Sequence, residues 1–232
     1  MKPIGATPSR TELVYQMIRD SIRDCRLEPG THLVQEELAA MLGVSRQPIQ
    51  QAMLLLKTDG LVVESGARGL YVAPLDPASI GYHYQIRLLF DQLAAELVAA
   101  RAKLSPIFAQ ELRQRGDAIL AEGERACGVG AAEAVSHDVR FHTFLYEVSE
   151  NPLIAPAADM HWNFLRRVMV AVLLHAKRGP LVWSQHRDIL DLLVAGNGEA
   201  ACNLVTQHII GAKEALLASL TETGLACPPP VE

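Results

Sequence analysis

The chain has 232 residues, half of them apolar and a fifth charged, with a net charge of −5. That balance excludes a disordered chain, and the length suits one large domain or two modest ones. No run reaches the ~18 uninterrupted apolar residues that a membrane span needs; residues 168–176 come nearest, bracketed by Arg166-Arg167 and Lys177-Arg178, and read as a buried helix.

No apolar signal segment opens the chain, so a cytoplasmic location is expected, with no membrane partner. Cys25, Cys127, Cys202 and Cys227 form no Cys-x-x-Cys pair, which points to reduced thiols rather than a disulfide framework or a thiolate metal site. The charge is unevenly spread. Residues 1–74 hold eight Lys/Arg and eight Asp/Glu, whereas residues 75–232 hold thirteen and eighteen. Charge alone therefore does not favour nucleic-acid binding, and any DNA affinity has to come largely from specific contacts and dimerisation.

A first helix is expected from Ser9 or Thr11, either of which can cap it, to Cys25, with Leu13, Met17, Ile18 and Ile22 on one stripe. Glu28-Pro29-Gly30 is a turn signal. Gln35 to Leu42 reads as a short second helix that turns Leu38, Ala39 and Leu42 inward and stops at Gly43. Ser45 is placed to cap a third helix with Pro48 in its first turn, and Ile49, Ala52, Met53, Leu55 and Leu56 form its buried face. A short helix, a glycine turn and a second helix make the helix-turn-helix layout, in which the second helix enters the major groove. Leu61-Val62-Val63 and Leu70-Tyr71-Val72 then form a hairpin with a glycine-rich tip, a wing. On pattern alone, a generic helix pair followed by a hairpin also fits.

The run Glu37-Leu38-Ala39-x-x-Leu42-Gly43-Val44-Ser45-Arg46-x-Pro48-Ile49-x-x-Ala52, with Leu56, Gly60 and Leu61 after it and Arg68-Gly69-x-x-Val72 in the wing, resembles the GntR family of bacterial regulators. The resemblance covers nearly all of residues 10–74. It implies a near-palindromic double-stranded DNA operator as partner, read by Ser45, Arg46, Gln47 and Gln50 on the third helix and by Gly66, Arg68 and Gly69 in the wing. One departure stands out: the family usually has arginine two residues after the proline, and this chain has Gln50. Arginine reads guanine, whereas glutamine suits adenine.

Pro74-Leu75-Asp76-Pro77 ends the wing, and residues 75–79 read as a linker. Beyond them only helical patterns occur, over about 78–103, 105–124, 130–150, 152–176, 180–196 and 198–221, with breaks at proline and glycine. The fold expected is mainly α: a winged helix-turn-helix domain over 1–74, then an antiparallel all-helical bundle over 80–226 and a frayed tail from 227 to 232.

Polar groups on the apolar faces of that bundle carry its chemistry. Asp138 and His142 lie four apart on a stripe with Val135, Leu145 and Tyr146; His186 shares a face with Ile189, Leu190 and Leu193; His208 shares one with Leu204, Ala212 and Ala215. Three imidazoles and a carboxylate turned into a bundle suit a first-row divalent metal, while a lone buried histidine is more often a hydrogen-bonded core residue. The same residues resemble the ligand-sensing (FCD) domain of the FadR-type branch of the GntR family. Asp138-x-x-Phe141-His142 before Asn151-Pro152, Gln185-His186-Arg187-x-Ile189-Leu190 with Gln for the usual Glu, and Ala200-Ala201 to His208-Ile209 carry that resemblance. It implies that Asp138, His142, His186 and His208 bind zinc, nickel or manganese, and the helix count is similar to the six-helix VanR-like subgroup.

Arg87 stands where the family often has an arginine facing the effector cavity; a surface arginine is the alternative. Asn163, Arg166 and Arg167 are further candidates for that cavity, and His32, His83, His137, His161 and His175 match no motif and read as surface or core. The function expected is a homodimeric transcription regulator, with repressor among the readings, whose operator binding responds to a small carboxylate at the metal. The alternatives are a metal-dependent hydrolase and a sensor of the metal itself.

Overall fold

A computed structural model describes residues 8–65, 69–174 and 180–223. The chain divides into two compact units that part between Pro74 and Leu75.

The first unit contains α1 (Arg10–Arg23), α2 (Gln35–Leu42), α3 (Arg46–Thr58), β1 (Val62–Ser65) and β2 (Gly69–Val72). Ser9 caps α1 by accepting from the Glu12 N–H at 3.1 Å, while the Thr11 hydroxyl donates to Gln51 of α3. Gly43 ends α2 in the left-handed region at φ 63°. The two strands pair antiparallel from Val62 with Val72 to Ser65 with Gly69, and Tyr71 bridges back to His32. The core gathers Val14, Ile18 and Ile22 of α1, Ile49, Met53 and Leu56 of α3, and Leu61 beside the hairpin.

Two expected core faces are rotated. Leu13 and Met17 are exposed because the row at 14, 18 and 22 faces α3, one residue around the helix. Leu55 is exposed as well, since Ile49, Ala52, Met53 and Leu56 already fill the inward face of α3.

The second unit contains α4 (Pro77–Leu104), α5 (Pro106–Ala126), α6 (Ala131–Val148), α7 (Ile154–Leu173), α8 (Pro180–Val194) and α9 (Gly198–Glu222). The expected linker over 75–79 is corrected here. Asp76 accepts from the Ala78 and Ser79 N–H groups and Pro77 takes the first helical position, so α4 begins inside that stretch, and Leu75 is buried. Ser105 closes α4 and caps α5, and Asn197 caps α9 through the Ala200 N–H. α4 packs along α9 and also meets α6 and α7; α5 lies against α6 and α8. Most described residues are helical, with the hairpin and the loops between helices making up the rest, so the mainly α class holds. The expected tail over 227–232 lies outside the described residues.

Close approach of α5 to α8 depends on two glycines seven residues apart. A Cβ on Gly123 would stand 2.0 Å from Cη2 of Trp183, and one on Gly116 would stand 2.5 Å from Cδ2 of Leu190. Gly123→Ala is therefore expected to lose about 1–3 kcal/mol of stability through overpacking, despite alanine's better helix propensity. Gly81→Ala, which meets open space within α4, should be neutral or stabilising by up to ~1 kcal/mol. Urea unfolding of the two variants checks this, and a Gly123→Ala protein as stable as the wild type contradicts the packing described.

Candidate metal centre and nucleic-acid interface

Helix α6 carries Asp138 and His142 one turn apart, α8 carries His186 and α9 carries His208. All four are buried, and one ligand atom from each lies within 4.8 Å of the others. Their helices turn these positions inward because the same faces bear Val135 and Leu145, Ile189 and Leu190, and Val205 and Ile209, all buried. His186 Nε2 is 3.2 Å from His208 Nε2 and 3.5 Å from Asp138 Oδ1.

The opposite ring nitrogens show which way the imidazoles are held. His142 Nδ1 lies 2.8 Å from Asp91 Oδ1, and His208 Nδ1 lies 2.9 Å from Gln185 Oε1. Both partners are acceptors, so each Nδ1 carries the proton and each Nε2 keeps its lone pair. Asp91 comes from α4 and is as deeply buried as Arg87, one turn before it. Arg87 Nε meets Asp91 Oδ2 at 3.3 Å, its Nη2 donates to His142 Nε2 at 2.8 Å, and its guanidinium lies 4.2 Å from the Trp162 ring centroid.

Burial pushes the His186 pKa well below its ordinary 6.5, and His208, His142 and Arg87 push it the same way. His208 is likewise held well below 6.5, by burial first and then by His142 and Arg87. Burial would raise the Asp91 carboxyl, but His142 and Arg87 together outweigh it and hold it below its ordinary value. At neutral pH the two imidazoles are uncharged and Asp91 is ionised.

These residues fit a divalent metal. With bonds of ~2.1 Å, ligand atoms along an octahedral or tetrahedral edge stand roughly 3.0–3.4 Å apart, and the separations of 3.2 and 3.5 Å are of that size. The His208 Nε2 lone pair and Asp138 Oδ1 both face His186 Nε2, a grouping that a cation can bridge. Among the described residues, Asp138 Oδ2 and His186 Nδ1 have no hydrogen-bond partner, and a set of three imidazoles and a carboxylate suits zinc, nickel or manganese.

A cavity of about 80 Å³ adjoins the cluster, lined by Arg87, Asp138 and His208 together with Tyr84, Val135, Trp183 and other mainly apolar residues. From α7 it receives Met169, Val172 and Leu173. Asn163, Arg166 and Arg167 are not in its wall, a correction that follows from the rotation of α7. Arg87 is inside the bundle, not on its surface.

In the first unit, Ser45, Arg46, Gln47 and Gln50 are exposed at the start of α3, while Pro48 and Ile49 between them are buried. Ser45 takes the capping position through its backbone alone, without the expected side-chain bond. Arg46 forms an ion pair with Glu36 of α2 and lines a groove with His32, Gln35, Gln50 and Leu70. Gly69 sits beneath the Tyr71 ring, whose Cε2 a Cβ would meet at 2.4 Å. Gly66 and Arg68 lie outside the described residues.

Sequence reasoning missed Asp91, whose signal was the four-residue step from Arg87. It also missed the contact between His83 and His161, whose Nδ1 atoms are 3.0 Å apart. His83 stacks on Phe164 at 4.0 Å, and burial, His161 and Arg167 lower it to about 4.

Residues 10–72 match the gntR family of bacterial regulatory proteins, and residues 83–211 match the FCD domain. The chain belongs to the gntR family. As a gntR-family transcription regulator, it joins a DNA-binding helix-turn-helix domain to an FCD effector-binding domain. It is 30% identical to an HTH-type transcriptional regulator from an unstable DNA locus of Streptomyces ambofaciens, over 84% of this chain and 80% of that one. It is 24% identical to the HTH-type transcriptional repressor RspR of Escherichia coli K12, over 89% and 88%. The fold is similar to that of a GntR regulator from Rhodococcus sp. RHA1, with TM-score 0.76 and 24% identity over 90% of this chain and 98% of the other. Among the described residues, no helix is long and apolar enough to cross a membrane.

The lowered histidines predict how the metal-free protein responds to pH. An imidazole whose folded pKa lies below 6.5 binds its proton more readily in the unfolded chain, so stability falls as pH drops below 6.5. His186 and His208 should each contribute a loss of up to about 1.4 kcal/mol per pH unit in that window. Asp91, lowered from an ordinary carboxylate value, adds nothing until the pH is far more acidic. Urea unfolding of chelator-treated protein at pH 7.5, 6.5 and 5.5 checks this; equal stability at 7.5 and 5.5 contradicts neutral, buried imidazoles.

Proposed function

We propose that this regulator acts as a cytoplasmic homodimer whose operator affinity is set by a small carboxylate, bound at a divalent metal held by Asp138, His142, His186 and His208. The convergence of those four ligand atoms beside a cavity that Arg87 also lines is the observation that carries the reading. A divalent metal facing one ionised Asp138 and neutral imidazoles would supply a formal charge of about +1 and attract an anion. Arg87 supplies a second positive group on the cavity wall. The cavity is small, about 80 Å³, which suits a small organic acid. The ligand changes DNA binding only by favouring one arrangement of the paired DNA-binding heads over another.

At the DNA, α3 would lie in the major groove with Arg46 on a guanine or phosphate, and with Ser45 and Gln47 on the backbone or a base edge. Gly66, Arg68 and Gly69 are assigned to the wing's contact with the duplex. Gln50 faces away from the core and is assigned to an adenine. Two heads in a dimer imply a near-palindrome with half-sites about one helical turn, ~34 Å, apart.

Two measurements test the two ends of the reading. Elemental analysis after dialysis should find about one metal per wild-type chain and a large loss in His142→Ala and His208→Ala, with helical content retained. Unchanged occupancy in both variants removes them from the site. Selection from a randomised duplex library should yield a near-palindrome for the wild type, and Gln50→Arg should shift one symmetric pair of positions towards guanine by about 1–3 kcal/mol per contact. Identical selected motifs would mean that Gln50 reads no base. A metal-only sensor would instead show DNA affinity that depends on metal with no carboxylate present, and a hydrolase would turn over simple esters.

A further inference from the structure

His142 has one lone pair to give and two claimants for it. Its Nδ1 is committed to Asp91 at 2.8 Å, which leaves Nε2 as the nitrogen available to a metal. That same Nε2 accepts from Arg87 Nη2 at 2.8 Å. A hydrogen bond and a metal bond cannot share one imidazole lone pair. Arg87 and a metal on His142 are therefore mutually exclusive at this atom.

We propose that Arg87 is a built-in competitor of the metal at His142, and that metal loading turns its freed Nη2 into the cavity as the arm that pairs with the ligand's carboxylate. This rests on the metal reading above. The guanidinium is rigid and planar, so Nη2 leaves His142 only when the whole group rotates about its side-chain bonds. The cavity that Arg87 already lines is where Nη2 then finds its new partner. A buried guanidinium nitrogen left unpaired is costly, which makes an incoming carboxylate the natural replacement for His142. Carboxylate binding then requires metal, and by linkage the carboxylate tightens metal binding by the same factor.

Asp91 and Arg87 are partners in one ion pair, yet the proposal gives them opposite effects on metal affinity. Asp91 fixes the His142 ring with Nε2 towards the cluster, so Asp91→Asn should weaken metal binding by about 10–100-fold. Arg87 occupies the ligand atom and adds positive charge, so Arg87→Met should tighten metal binding roughly tenfold or more. A purely structural ion pair would weaken binding in both variants.

Zinc is the probe, titrated into chelator-stripped protein in competition with a chromophoric chelator, with circular dichroism reporting the fold. Tighter binding by Arg87→Met and weaker binding by Asp91→Asn is the expected result. Arg87→Met that is folded but binds zinc no tighter than the wild type overturns the competition, and unchanged affinity in Asp91→Asn overturns the opposed signs. The wild type supplies a measurement that does not depend on a variant's folding. Its crystal structure with zinc should show Arg87 Nη2 beyond hydrogen-bond distance of His142 Nε2; zinc on His142 with that contact retained overturns the proposal. Zinc bound by neither the wild type nor any variant contradicts the metal reading itself, a different outcome from zinc bound without the change at Arg87.

Discussion

Arg87 and Asp91 are each 2% exposed, and an ion that deep in a helical core costs several kcal/mol unless it is paired and hydrogen-bonded. They lie one turn apart on α4, so each supplies the other's counter-charge, and His142 completes the arrangement between them. The ion pair does more than neutralise. By accepting from the Nδ1–H of His142, Asp91 decides which ring nitrogen faces His186, His208 and Asp138. α4 also packs along α9, the helix that carries His208, so the same long helix positions one candidate ligand through a hydrogen bond and another through apolar contact.

The DNA-binding unit is built on a different balance. Its sequence carries as many acidic as basic residues over 1–74, and the structure shows one consequence: Arg46, at the start of α3, is already paired with Glu36. A phosphate or base that takes Arg46 must displace that carboxylate. On the proposed reading, such internal pairs would lower affinity for arbitrary DNA, and a site that offers Gln50 and its neighbours the right base edges would restore it. Weak electrostatics and specific contacts therefore fit together in this unit.

Much of this could be read from the residues because helical spacing is a strong signal. The Asp138-x-x-x-His142 step, and the placing of His186 and His208 among leucines and isoleucines, put four polar groups on inward faces, and the structure brings all four together. Spacing could not show what stood behind them. Asp91 looks like one end of an ordinary i, i+4 surface pair with Arg87, and only the packing of α6 and α7 on α4 shows that this turn of α4 is interior. The errors at Leu13, Met17 and Leu55 have a similar origin. Apolar residues one position off the true stripe cannot be told from core residues until the neighbouring helix fixes the rotation. The expected start of α4 at about 78 lies one residue from Pro77; the linker over 75–79 is too long because Asp76 caps the helix and makes that proline its opening.

X-ray absorption at the metal edge of protein purified without added metal tests the central claim most directly. The account predicts a divalent first-row metal bound by imidazole nitrogens and carboxylate oxygen at about 2.0–2.2 Å, with no sulfur ligand. No edge above background, or a shell at about 2.3 Å that marks cysteine sulfur, would contradict a centre built on Asp138, His142, His186 and His208.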